Sequence, residues 1–278
     1  MLRSMSNLED YAIHATDGNI GHVKDFYFDD VAWVIRYFVV ETGNWLLSRK
    51  VLISPMSFGK PNWRDRVLPV SITKEQVKNS PDIDTEKPVS RQHEIQHLGY
   101  YGFPYYWGGP SLWGDQAYPG MMANVGGFIT TPNIPQSKAG KIKEQRVEAA
   151  RHRGDDPELR SCKAVIGYEV EATDGNIGHV KSMLVDDETW AIRYLIVETG
   201  NWWLGHEVLI APQWIEEVRW PDTTVSVNLT RQAVRDAPPY DRTVEMGREQ
   251  EVKIHTHYQR PGYWTYELDR VEVLPPED

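Results

Sequence analysis

An internal repeat constrains the fold of this chain more than any other feature of its sequence. The ten residues ATDGNIGHVK occur at positions 15–24 and again at positions 172–181, an offset of 157. At the same offset and without a gap, 28 of the 45 positions in residues 11–55 are identical to their counterparts in residues 168–212. Two copies in one register predict two folded units of the same kind.

The repeat also predicts the domain boundaries. Matches at the same offset extend outward to Leu2 and to Trp107, and 278 residues are enough for two ordinary domains. We predict a first domain at 1–107, a linker at 108–158 and a second domain with a C-terminal extension at 159–278. Gly and Pro recur in the first part of the linker, which favours an irregular segment, and KIKEQRVEAARHR in its second part favours a short exposed helix.

Each copy has the residues of short β-strands joined by tight turns. In the second copy the pattern predicts strands at 168–172, 178–185, 190–199, 208–210, 214–219 and 225–229. Thr230 is a suitable N-cap for a helix over 231–237. We predict an all-β fold of two tandem barrels of about six strands, each followed by a short helix and an aromatic tail. A β-sandwich is the alternative fold.

Charge and composition restrict the function. The formal net charge of -10 would repel a phosphate backbone, so nucleic-acid binding is disfavoured. The single cysteine, Cys162, cannot form an internal disulfide, and no predominantly apolar run approaches the ~20 residues that span a bilayer. The N-terminus turns polar at once, without a signal peptide. We expect a cytoplasmic protein with no membrane span, for which peripheral association with a membrane complex stays open.

One short segment matches a metal-site motif. His93, Glu94 and His97 fit H-E-x-x-H, which on a helix holds zinc beside a glutamate base. Gly99, Gly102 and Pro104 break a helix just downstream of this segment, and the second copy has Gln and Ile in place of the two histidines. We predict no catalytic residue, no metal ligand and no cofactor, and we keep a zinc-dependent hydrolase as an alternative.

Other titratable residues favour structural roles. His255 and His257 would point to the same face of a strand, where a pair of imidazoles can bind a metal, but no further ligand accompanies them. Asp29 and its copy Asp186 lie in turn sequences, where carboxylates accept hydrogen bonds from nearby backbone amides. We assign these residues to structure.

Aromatic residues beside turns are the candidate binding surface. Large rings at turns can anchor a protein partner, or they can pack within their own chain. The predicted partner-binding residues are Asn44, Trp45, Asn201, Trp202, Trp203, Trp107 and Trp264. The partner is not identified by the sequence, and packing of the two barrels on each other or formation of a homodimer is also open.

The spaced DG, IG, DD, IRY and TG elements of both copies resemble the PRC-barrel family over residues 2–84 and 159–241. That family is named for the cytoplasmic barrel of the photosynthetic reaction-centre H subunit, and a related barrel occurs in the ribosome-maturation factor RimM. The resemblance implies a small six-stranded barrel that binds other proteins and has no catalytic machinery common to the family.

The resemblance and the repeat together favour a non-enzymatic protein-interaction scaffold. A second hypothesis is a soluble relative of the H subunit that supports photosynthetic electron transfer. The membrane helix of that subunit and the extra N-terminal domain of the ribosome factor have no counterpart in this sequence. A role in the reaction centre or in ribosome maturation is therefore not predicted from the barrel alone.

Overall fold

The computed structural model of the protein describes residues 1–81, 89–107, 109–123, 159–200 and 206–265. The chain forms two compact units. The N-terminal unit comprises Arg3–Val165 and Val185–Ile192, and the C-terminal unit comprises Met1–Leu2, Ile166–Leu184 and Arg193–Asp278. The predicted division at 107 and 158 follows the sequence repeat and stays a prediction. Most of the predicted linker, including its KIKEQRVEAARHR segment, lies outside the described residues.

One six-stranded sheet is the basis of the N-terminal unit. Its strands are β2 (Ala12–Ala15), β3 (Gly18–Asp29), β4 (Val34–Thr42), β5 (Lys50–Ile53), β6 (Val67–Pro69) and β7 (Leu159–Ser161). Their order is β5-β4-β3-β2-β6, and β7 pairs with β3. The helices of this unit are α1 (Met5–Leu8), α2 (Lys74–Lys78), α3 (Arg91–Tyr101), α4 (Pro119–Ala123) and α5 (Cys162–Val165).

The C-terminal unit has a sheet of the same kind. Its strands are β8 (Glu169–Ala172), β9 (Gly175–Asp186), β10 (Ile192–Thr199), β11 (Glu207–Ile210), β12 (Ile215–Arg219) and β13 (Thr224–Val227). Their order is β11-β10-β9-β8-β13-β12, and the first strand of the chain is the short β1 (Leu2–Ser4). The helices α6 (Arg231–Arg235) and α7 (Arg248–His257) follow. The predicted all-β fold is confirmed in part: the structure is mostly β, with two sheets, and it also contains helices.

Most corresponding elements of the two copies begin 157 residues apart, which is the offset of the sequence repeat. The long strands β3 and β9 each have 12 residues, and α3 and α7 both begin at repeat-equivalent arginines. Gly21 and Gly178 show why the repeated glycines are needed. A Cβ atom on either would lie 2.0 Å from the carbonyl oxygen of Glu41 or Glu198 on the neighbouring strand. Only glycine permits the neighbouring strands to come this close at these two positions.

The two ends of each strand order lie close in sequence. In the C-terminal unit, β11 and β12 are joined by a 3-10 turn at Pro212–Trp214. In the N-terminal unit the chain makes the same turn at Pro55–Ser57 and then forms single bridges to β6 and its flanking residue, Asn62 to Val67 and Phe58 to Val70. In both units the chain therefore runs from one end strand of the sheet to the other end strand.

The core of the N-terminal unit is aromatic. Phe38 contacts Phe26, Phe58 and Trp190 edge to face, with ring centroids 4.8 Å, 4.9 Å and 4.9 Å apart respectively. Edge-to-face contacts of this kind add to the free energy gained by removing the rings from water. The sequence places these rings here because aromatic and β-branched residues fit a pleated surface.

Residues 185–192 add a pair of reciprocal hydrogen bonds to the N-terminal unit. The amide of Ile35 donates to the carbonyl of Trp190, and the amide of Ile192 donates to the carbonyl of Trp33, both at 2.8 Å. These residues correspond in the repeat. The predicted strand 190–199 begins only at Ile192, because Trp190 adopts a left-handed conformation with φ of 59°.

The remaining boundaries differ from the predictions by a few residues. Trp214 belongs to the 3-10 turn before β12 and not to the strand. Thr230 caps α6 as predicted, since its side chain accepts a hydrogen bond from the amide of Ala233, but the helix ends at Arg235. Among the helices in the described ranges, none is long and apolar enough to cross a membrane.

Candidate functional site

The first candidate surface is the turn between β4 and β5, residues 43–49, which we call the docking turn. Thr42 fixes its base, because the hydroxyl donates to the carbonyl of Arg49 at 2.8 Å. The indole of Trp45 donates to the carbonyl of Ile20 at 2.7 Å, and the ammonium group of Lys74 lies 4.5 Å from its ring centre. Trp45 is half-buried, so its ring holds the turn against the sheet.

Leu47 is the most exposed large apolar residue of the docking turn. Its relative exposure is 93%, and it adopts a left-handed conformation with φ of 54°. Asn44 beside it is also exposed. Sequence reasoning selected Asn44 and Trp45 but missed Leu47, although the copy of the turn also has leucine at this position. The predicted residues Asn201, Trp202 and Trp203 lie outside the described residues.

The two tail tryptophans pack beneath arginines of their own units. Trp107 stacks on Tyr105 with ring centroids 4.6 Å apart, and the guanidinium of Arg91 lies 4.2 Å from its ring centre. Trp264 has the equivalent contact with Arg248, also at 4.2 Å. Both tryptophans are half-buried, so each presents only part of its ring to solvent.

A buried arginine lies behind the first tail. The side chain of Arg36 is fully buried, and it forms an ion pair with Asp29 at 3.2 Å. Its guanidinium also lies 3.9 Å from the ring centre of Tyr106 and 4.7 Å from that of Trp113. It donates to the carbonyl of Leu112 at 2.7 Å. Burial alone would raise the pKa of Asp29, but Arg36 and two backbone amides reverse that effect and lower it.

Trp113 belongs to the segment predicted as a linker. It is completely buried, and its indole donates to the carbonyl of Thr189 at 2.8 Å. A short hairpin holds it in place, with bridges between Ser111 and Gly114 and between Trp113 and Gln116. These residues therefore pack as part of the N-terminal unit.

Glu94 is the buried carboxyl of α3. It accepts hydrogen bonds from Arg91 at 2.9 Å and from the hydroxyl of Tyr106. Burial raises the pKa of Glu94 to about 7, although Arg91 and Tyr106 favour its charged form. Glu94 thus ties the helix to the tail that follows it.

The H-E-x-x-H segment does lie on a helix, which continues through Gly99 and ends before Gly102. His93 is exposed and contacts the hydroxyl of Ser90. His97 is buried, and its Nε2 donates to the carbonyl of Leu52 at 3.1 Å. Burial lowers the pKa of His97 to about 4. A search of the described ranges for groups of three or more residues that could hold a metal found none.

The C-terminal unit has an equivalent cluster. The guanidinium of Arg193 lies 3.9 Å from the ring centre of Tyr263. Arg248 forms an ion pair with Glu251 at 3.2 Å, and the hydroxyl of Tyr194 donates to Glu251 at 3.1 Å. Burial raises the pKa of Glu251 as well. Sequence reasoning missed this Arg-Tyr-Glu set, although all of its members recur at the offset of 157.

The interpretation of His255 and His257 as strand residues is wrong, because both lie on α7. Residues two apart on a helix face different directions. His255 is buried and contacts Trp214, whereas Nε2 of His257 donates to the carbonyl of Ala233 at 2.8 Å. They do not form a pair on one face.

A small β-sheet whose end strands are close in sequence, with a helix after it and an arginine between aromatic rings, defines a barrel-like β module. The sequence comparison assigns its family: residues 3–77 match the PRC-barrel domain. This part of the chain is therefore a PRC-barrel domain, as the resemblance implied. A search of curated proteins found no match to the chain.

Proposed function

We propose that the chain is a non-enzymatic docking protein made of two closed PRC-type barrels that arose by duplication. The match at 3–77 supports this for the first copy. For the second copy the support is the shared offset of its strands, helices and close glycine contacts. Closure of each barrel is supported by the strand order. In the C-terminal unit a 3-10 turn joins its two end strands, and in the N-terminal unit the residues after the equivalent turn form single bridges to β6 and its flanking residue.

The observation that carries the proposal is the exposed Leu47 on a fixed turn. A leucine that is 93% exposed gains free energy when a partner removes it from water. The turn is already ordered by Thr42 and Trp45, so binding costs less conformational entropy than it would for a flexible loop. An apolar anchor on a rigid base is the usual form of a binding hot spot.

Charge supports a protein partner over a nucleic acid. The chain has a net charge of -10, whereas binding to a phosphate backbone relies on a basic surface. Glu94 and His97 belong to the H-E-x-x-H segment, the best match to a catalytic motif. Both are buried and hydrogen-bonded to neighbours within the unit. These contacts support a structural role for the segment and a binding role for the exterior.

Affinity purification from the native host with quantitative mass spectrometry tests this function. Four tagged proteins are compared: the unchanged chain, Leu47→Asp, Leu47→Met and Arg64→Ala, the last being an exposed position in a different loop. We expect a protein that co-purifies with the unchanged chain, Leu47→Met and Arg64→Ala but is lost by at least tenfold with Leu47→Asp. A set of co-purifying proteins that is the same for all four would contradict the proposal.

A further inference from the structure

The helices α3 and α7 are repeat equivalents, but different hydrogen bonds hold them. In the C-terminal unit, the hydroxyl of Tyr194 donates to Glu251 at 3.1 Å and lies 3.0 Å from Nε2 of His255. Nδ1 of His255 donates to the carbonyl of Pro261 at 3.0 Å. The hydroxyl of Tyr194 and both ring nitrogens of His255 therefore lie within hydrogen-bond distance of a polar group, and the single hydroxyl hydrogen of Tyr194 is given either to Glu251 or to His255.

The N-terminal unit departs from this arrangement at one pair of positions. The residue equivalent to His255 is Leu98, and the histidine stands one place earlier, at His97. Nε2 of His97 donates to the carbonyl of Leu52 at 3.1 Å. Within the described part of the chain, the hydroxyl of Tyr37 and Nδ1 of His97 are buried without a hydrogen-bond partner. The two rings contact each other at 5.0 Å.

Unpartnered polar atoms weaken the attachment of α3. A buried donor or acceptor that has lost its water and gained no partner costs free energy. Burial does not distinguish the two sites, because Tyr37 and Tyr194 are both fully buried. The difference comes from the shifted histidine.

We propose that residues 89–107, which we call the first extension, are a cover that opens by local unfolding while α7 stays attached to its own unit. Opening uncovers the ring of Tyr37 on β4 and the carbonyl of Leu52 on β5. Since His97 donates to this carbonyl, opening leaves a backbone acceptor of β5 without its partner. This inference concerns a different surface from the docking turn and does not depend on it.

Native-state hydrogen exchange of the full chain tests the inference. The amides of α3 and α7 are measured in one sample, so each helix is the control for the other. After correction for intrinsic rates, we expect the amides of α3 to be at least about tenfold less protected than those of α7, because they exchange through a local opening. Equal protection of the two helices would overturn the proposal.

Two variants in which the residues of α3 and α7 are swapped test whether the shifted histidine causes the difference in protection. The double substitution His97→Ile and Leu98→His gives α3 the residues of α7, and we expect it to raise the protection of α3 by about tenfold. The reciprocal change, Ile254→His and His255→Leu, is expected to lower the protection of α7 by a similar factor. If the first variant does not fold, the second decides alone. Unchanged protection in the variants that fold would contradict the proposed cause.

Discussion

The guanidinium of Arg36 lies 3.9 Å from the centre of the Tyr106 ring, and both side chains are fully buried. Arg36 comes from β4, whereas Tyr106 comes from the first extension. This contact joins the extension to the sheet and brings the positive charge opposite Asp29. The same relationship recurs between Arg193 and Tyr263, so it belongs to the common design of both units.

Removal of Arg36 should strongly destabilise the N-terminal unit. In Arg36→Ala, Asp29 remains buried without its ion-pair partner, and we expect the free energy of unfolding to fall by about 3–5 kcal/mol. Urea unfolding measures the change. The control Arg64→Ala removes an exposed arginine and should change stability by no more than about 0.5 kcal/mol. A loss below about 1 kcal/mol for Arg36→Ala would show that the cluster contributes little.

Two substitutions in the docking turn should have different effects on the free energy of unfolding. Trp45→Ala removes a half-buried ring and its hydrogen bond to Ile20, so we expect the free energy of unfolding to fall by about 2 kcal/mol. Leu47→Ala removes an exposed side chain and should alter stability by less than about 0.5 kcal/mol. Urea midpoints of the two variants check this difference. Equal losses would show that Leu47 packs within its own chain.

Glu94 and His97 should give opposite pH dependence to stability. The pKa of Glu94 rises from 4.5 to about 7 on folding, so between these values the folded state keeps a proton that the unfolded chain has lost. Stability from Glu94 therefore falls as pH rises through this window. The pKa of His97 falls from 6.5 to about 4, so stability from His97 rises with pH between about 4 and 6.5. The two effects oppose each other where the windows overlap.

Glu94→Gln should reveal the contribution of His97. Between pH 4.5 and pH 7, the free energy of unfolding of Glu94→Gln should rise by about 3 kcal/mol more than that of the unchanged chain. This follows because each unit of the pKa shift of Glu94 corresponds to ~1.4 kcal/mol. Urea unfolding at several pH values measures the slopes. Burial raises the pKa of Asp30 to about 6, but Asp30 is present in all three proteins, so its contribution cancels in the comparison. His97→Gln is the matched control and should change the slope in the opposite direction. Parallel pH profiles for all three proteins would contradict this assignment.

Cys162 should be unreactive in the native protein. Its side chain is fully buried, and burial raises the pKa of its thiol, so little of the reactive thiolate is present. We expect no reaction with a thiol reagent in native buffer and one equivalent of reaction in urea. Fast modification of the native protein would show that the α5 region opens readily.

Much of the sheet could be predicted from sequence because the strands carry dense β-branched and aromatic residues. The prediction of a strand at 190–199 was correct except for its first two residues. That error came from Trp190, whose left-handed conformation is unusual for a bulky residue. Positive φ at such a position depends on the surrounding structure and is not visible in local propensity.

The helices of the extensions were harder to predict. Helix α3 contains Gly99, which disfavours a helix interior, and its buried residues include Glu94 and His97. Tertiary contacts with Leu52 and Tyr106 stabilise it. The spacing of His255 and His257 suggested a strand. The contacts that stabilise α7 come from residues distant in sequence, so local sequence alone did not indicate the helix.

The candidate site was only partly predictable. The repeat identified Trp45 and the two tail tryptophans, but a sequence does not show which side of a turn faces solvent. Leu47 could be recognised only after the hydrogen bonds of Thr42 and Trp45 had fixed the turn.

Site-specific photocrosslinking in the native host tests the docking role most directly. A photoreactive amino acid replaces Leu47 in one protein and Arg64 in another, and both are irradiated in living cells. We expect a discrete adduct with one partner protein from position 47, absent from position 64 and suppressed when Trp45→Ala is added. No adduct from position 47, or the same adducts from both positions, would show that the docking turn does not bind a protein partner.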